Sequence, residues 1–144
     1  MSGGLLFDES LGEYVMAAHC VQVLSYTVDY EAGELRISTE QQGKRLRMRF
    51  EELLAHHFEH AGRRNVIYDV ATVSLDTFIA AERRQLSRAL RYGFPLKEGR
   101  GPDELRRYLS EGGYSVFQIR ASVGMCGYVI AKRLVIEEAA GEAR

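Results

Sequence analysis

Between Arg45 and Phe50 the chain alternates without a break: Arg45, Arg47 and Arg49 interleave with Leu46, Met48 and Phe50. Only an extended strand sends every second side chain to the same side. One face of that strand is buried and the other is solvated, which is the habit of antiparallel sheets. The same rhythm appears just before it, where Leu35 and Ile37 alternate with Glu34, Arg36 and Ser38. Earlier still, from His19 to Tyr30, the even positions Cys20, Gln22, Leu24, Tyr26, Val28 and Tyr30 define an expected buried face. Turns fall at Glu31-Ala32-Gly33 and at Glu40-Gln41-Gln42-Gly43. Aligning apolar with apolar pairs Tyr30 with Leu35 and Ile37 with Leu46, because a one-residue slip would set each apolar face against a polar one. In that register Asp29, Arg36 and Arg47 form one outer row, with Glu34 opposite Arg49.

The remaining segments follow from the same signals. Residues 51–62, with Leu53, Leu54, His57 and Phe58, suit a short helix or irregular structure, and a bent strand is the alternative. Asn65 to Val73 is apolar on both faces and reads as a strand covered on both sides. Ser74 is an expected N-cap, and a helix over about 75–92 ends at Gly93. Its apolar arc holds Leu75, Phe78, Ile79, Leu86, Ala89 and Leu90, with Glu82 inside that arc. Pro102 opens a second, shorter helix over about 102–110. Two last strands, about 114–121 and 126–136, are joined by a turn at Ser122–Met125. Hairpins dominate and no βαβ alternation appears. The expectation is one α+β domain spanning 1–144, with a mostly antiparallel sheet of about five to six strands and two helices. Residues 1–12 and 138–144 are expected to be flexible.

Composition removes several classes of function. A chain of 144 residues with 46% hydrophobic and 27% charged residues builds a core without disulfide or metal support. Its 19 basic and 20 acidic residues leave a net charge of −1, unlike proteins that coat nucleic acid. Cys20 and Cys126 sit in no metal or redox spacing. No apolar run approaches the ~20 residues needed to span a bilayer. A cytoplasmic protein that does not enter membranes is expected.

Candidate sites are few. The carboxylate of Glu82 on an apolar helix face must find a partner or hold its proton. Arg36, Arg45, Arg47 and Arg49 make a basic strip that a phosphate or an acidic partner would relieve, although Asp29 beside Arg36 and Glu34 beside Arg49 partly neutralise it. His56, His57 and His60 lie close together, but the zincin spacing and a third ligand are missing, so neither a metal nor a cofactor is expected. No nucleophile stands in a catalytic motif, although Cys126 near a hairpin end is a conceivable thiol. Gly99-Arg100-Gly101 before a helix lacks the phosphate-loop signature and reads as a connector. Tyr14, Tyr92, Phe94 and Tyr108 stand near loops and could line a binding patch.

In size and style the chain is similar to small stand-alone α+β proteins that bind another protein, toxin-neutralising immunity proteins among them. The first expected function is therefore a protein-binding module, of the inhibitor or immunity type, acting through the arginine face. Homodimerisation is open to such a module. The alternative is a small-molecule-binding domain or small enzyme with its site between the sheet and the helix 75–92, using Glu82 and a nearby tyrosine or histidine.

Overall fold

The computed structural model describes residues 21–96 and 101–138 in full, and the backbone of 5–8 and 13–16. His19, Cys20, most of the termini and the Gly99-Arg100 connector lie outside the described residues, as does the side chain of Tyr14. Leu5–Asp8 (β1) and Glu13–Met16 (β2) pair as a separate antiparallel hairpin. No helix among the described residues is long and apolar enough to cross a membrane.

Eight further strands form the main sheet: Val21–Asp29 (β3), Glu34–Gln41 (β4), Lys44–Glu51 (β5), Ala55–Glu59 (β6), Val66–Val73 (β7), Ser115–Val123 (β8), Cys126–Ala131 (β9) and Arg133–Glu138 (β10). Their order is β10-β5-β4-β3-β7-β8-β9-β6, with every pairing antiparallel. Two helices, Leu75–Ala89 (α1) and Pro102–Gly112 (α2), complete an α+β fold. The strand count exceeds the expected five to six for two reasons. Residues 55–59 are a strand, and 126–136 is broken in two at Lys132.

Both differences have one cause. β5 runs into β6 and β9 runs into β10, and the two composite strands pair along their whole length. Glu51 faces Arg133 and Ala55 faces Ile130, so one residue more is used on the first strand than on the second. That surplus is a bulge centred on Glu52, whose φ of 57° lies in the left-handed region. The ladder continues through the bend, since Lys132 N donates to Glu51 O at 3.0 Å and Leu54 N donates to Ile130 O at 2.8 Å. Residues 55–59 are thus held extended by β9, a partner strand far along the chain, which overrides a local pattern that equally suits a helix.

At the opposite junction β3 and β7 share only two residue pairs. The eight strands therefore divide into two four-stranded halves, β10-β5-β4-β3 and β7-β8-β9-β6, joined at this corner and through the bent ladder. Their inner faces make one core: Leu35, Ile37, Met48 and Phe50 pack with Ile67, Val70, Phe117, Ile119 and Val129. Phe50 and Phe117 meet edge to face at 5.4 Å between ring centroids.

The expected registers of the first three strands shift by two residues. Leu35 faces Val28 rather than Tyr30, and Ile37 faces Met48 rather than Leu46. In the first hairpin the loop needs four residues, because Asp29 Oδ1 accepts from Ala32 N at 3.0 Å and Asp29 O accepts from Gly33 N at 2.9 Å. In the second, Gln42 and Gly43 take φ of 51° and 82°, the left-handed pair of a tight hairpin turn. A two-residue shift keeps each side chain on its own face. A one-residue shift would expose four core side chains at about 2 kcal/mol each, comparable with the whole stability of such a domain.

Of the even-numbered face expected for β3, only Val28 packs against the core, while Gln22, Leu24 and Tyr26 are exposed. The register slips between Val23 and Ser25, leaving Leu24 bulged and 40% exposed. Before the bulge it is Val21 and Val23 that face the core, and after it Val28 does. Tyr30, expected inside, is 78% exposed.

One side chain ties the β3–β7 corner. Asn65 Oδ1 accepts from Gly62 N at 3.0 Å and from Met125 N at 2.9 Å, while its Nδ2 donates to Gly62 O at 2.9 Å. Its backbone oxygen accepts from Val23 N at 2.8 Å. Asn65→Ala removes three side-chain bonds and leaves the half-buried Met125 N–H without its partner. The expected loss is about 2 kcal/mol, read as a lower urea midpoint with an unchanged m-value.

Candidate functional site

Helix α1 starts as its sequence dictates. Ser74 Oγ accepts from Thr77 N at 3.0 Å, and the stretch ends in a turn Leu90–Tyr92 followed by Gly93 at φ 85°. Its apolar side does not enter the core between the two halves. Phe78, Ile79 and Leu86 instead pack on the outer side of β8 and β9, against Val116, Tyr128 and Ile130. Leu105 and Leu109 of α2 join this second apolar layer. The ring of Phe78 stands edge to face on Tyr128 at 4.8 Å.

Beside this layer the outer faces of β6, β8 and β9, with Glu82 of α1, enclose a cleft of about 350 Å³. Strand alternation selects its lining. β8 turns Phe117 and Ile119 toward the core, leaving Gln118 and Arg120 outward. β9 turns Val129 and Ala131 inward, leaving Tyr128 on the cleft side. On β6 His57 and Glu59 line the cleft, while Phe58 packs against the core. Cys126 and Gly127 complete one end.

The charges in the cleft are largely spoken for. Arg120 grips Asp69 through two nitrogens, with Nε to Oδ1 at 2.6 Å. His57 Nε2 lies 2.9 Å from Glu59 Oε2, and this contact, the largest influence, lowers the Glu59 pKa below the usual carboxylate range. The Gln85 amide approaches the same imidazole nitrogen at 3.2 Å. Glu82, half-buried, makes no ion pair with any described residue. Tyr128 is 5% exposed, and its hydroxyl is the one buried side-chain polar atom without a hydrogen-bond partner among the described residues. Burial first, then the negative charges of Glu82 and Glu59, push its phenol far above the ordinary tyrosine range. The hydroxyl therefore keeps its proton, as a donor held beside carboxylates.

The arginine strip stands elsewhere, on the outer faces of β4 and β5. Arg36 is opposite Arg49 rather than Arg47, and each of the four arginines meets a carboxylate of this chain. Arg36 binds Glu34 at 2.7 Å, Arg45 lies 3.8 Å from Glu40, and Arg47 lies 3.5 Å from Glu137. Arg49 reaches Glu137 at 2.7 Å, Glu51 at 3.1 Å and Glu34 at 3.3 Å. The Glu137 contact contributes most to raising its pKa. Glu82 is not part of this group. The three histidines do not share a helical face: His56 leans on Phe58 at 5.3 Å, His57 lines the cleft, and His60 sits in a left-handed turn at φ 62°. Among the described residues no cluster of His, Cys, Asp or Glu is arranged to hold a metal ion. Tyr92 is 84% exposed, whereas the Phe94 ring lies 6.3 Å from His57.

Sequence reasoning places Glu82 correctly on the inner side of α1 but misses Tyr128, Gln118 and the Asp69–Arg120 pair. The available signal is Gly127 inside a strand, which marks a close backbone approach. Its φ is 149°, and a Cβ there would stand 1.9 Å from His57 O. Only glycine lets β6 come close enough for His57 to reach the cleft. Comparison with known proteins finds no matching family model, curated protein or solved structure. Gly127→Ala forces β6 off β9, with an expected loss of about 2 kcal/mol or more. Thermal melts measure the loss, and NMR shift changes centred on residues 55–59 locate it.

Proposed function

We propose that this chain is a binding protein for a small polar molecule, with its site in the cleft between α1 and the β6–β9–β8 wall. The observation that carries the reading is the Tyr128 hydroxyl. A buried hydroxyl without a partner costs about 1–3 kcal/mol, so a fold that keeps one beside an open cleft supports a partner that arrives with the ligand. The cleft volume of about 350 Å³ falls in the range of small-molecule sites. Its lining combines an aromatic floor with a few converging polar groups, as such sites do.

A protein-binding face on Arg36, Arg45, Arg47 and Arg49 draws less support. The charge on that face is balanced from within the chain by Glu34, Glu40, Glu51 and Glu137.

The test separates stability from binding. Tyr128→Phe deletes one oxygen and leaves the ring packed on Phe78. Its expected effect on stability is neutral to favourable by about 1 kcal/mol, since the orphaned group is gone. The same substitution weakens the small polar ligands that a fragment screen by NMR finds at Gln118, Gly127 and Tyr128. A variant that loses more than about 1 kcal/mol, together with a screen that perturbs no cleft residue, would contradict the reading.

A further inference from the structure

We infer that the cleft selects a cationic nitrogen ligand, a primary ammonium or a guanidinium, held by Glu82 and by the hydroxyl of Tyr128. This inference rests on the cleft being a binding site and adds the charge of what it binds.

Charge and hydrogen bonding at the cleft wall favour a cation over an anion. Arg120 could attract an anion, but both of its contacting nitrogens already face Asp69. Glu59 shares its charge with His57 at 2.9 Å. Glu82 remains as the carboxylate with no ion pair among the described residues, so the cleft carries surplus negative charge. An anionic ligand would approach Glu59 and Glu82, and the cations among the described lining residues, Arg120 and His57, already face Asp69 and Glu59. A cationic N–H donor fits both unmet needs. One hydrogen goes to a Glu82 oxygen and another to the Tyr128 hydroxyl oxygen, which keeps its own proton and can donate onward. The rings of Tyr128 and His57, 5.6 Å apart, give such a cation aromatic walls.

The same buried, unpartnered hydroxyl sets this carboxylate apart from an ordinary surface glutamate. Glu111 on α2 is exposed and is not among the residues that line this cleft, so it serves as the control.

The experiment titrates the uniformly 15N-labelled full chain with butylammonium, 1,4-diaminobutane and guanidinium. Acetate, inorganic phosphate and neutral butanamide are run beside them at equal ionic strength. The cations are expected to give saturable shifts at Gln118, Gly127 and Tyr128, and the anions none. Glu82→Gln, which keeps shape and removes charge, is expected to weaken the cations about tenfold or more, while Glu111→Gln leaves them unchanged. Anions or the neutral amide saturating the cleft as well as the cations would overturn the charge assignment while leaving the binding site standing. Cation affinity unaltered by Glu82→Gln would overturn the role of Glu82. Failure of every probe, of any charge, to saturate the cleft would remove the binding site itself and the inference with it.

Discussion

The antiparallel ladder between the composite strands β5–β6 and β9–β10 is the constraint on which the rest of the structure depends. It passes from one half of the sheet to the other without losing its pairing, because one extra residue at Glu52 lets the first strand turn with the second. Without that bend, residues 44–51 and 126–131 would lie in one flat sheet. Phe50 could not then meet Phe117, and the apolar faces of the two halves would stay in water. Burial of those faces supplies the stabilisation, and the ladder decides which faces they are.

The bend also shapes the cleft. It lifts β6 to the edge of β9, where Gly127 permits a backbone approach that no other residue allows. Alternation then divides β6 cleanly, with Phe58 toward the core and His57 and Glu59 toward the cleft. Helix α1 packs on the far side of the same β8–β9 wall, which sets Glu82 over Tyr128. Two regions of charge result, with different logic. On β4 and β5 the arginines are paired and partly solvated, so each pair adds little to stability and the strip is nearly neutral. At the cleft, among the described residues, the Glu82 carboxylate has no ion pair and the Tyr128 hydroxyl no hydrogen bond, and unpaired polar groups beside a cavity are where a ligand gains specificity.

Much of the fold was legible because period-2 and period-3.6 patterns act locally. The faces of β4 and β5, the N-cap at Ser74, the stop at Gly93 and the start at Pro102 all follow from short-range chemistry. Other features were not legible because they depend on partners far along the chain. The bulge at Leu24 exchanges the inner and outer positions of β3, and nothing within 21–29 announces it. The histidine segment 55–59 suits a helix until β9 pairs with it. The site is half readable. Glu82 is conspicuous as a carboxylate on a greasy stripe, whereas Tyr128 looks like one more alternating aromatic. Its unpartnered hydroxyl emerges only when α1 and β6 close around it.

Through-space proton contacts in the NMR spectrum of the full chain test the bent ladder most directly. The account predicts cross-strand contacts between Ala55 and Ile130 and between His57 and Tyr128, in unbroken series with those between Glu51 and Arg133. It also predicts extended-strand carbon shifts throughout 55–59. Helical shifts over 55–59, or a ladder that stops at Glu51, would contradict it.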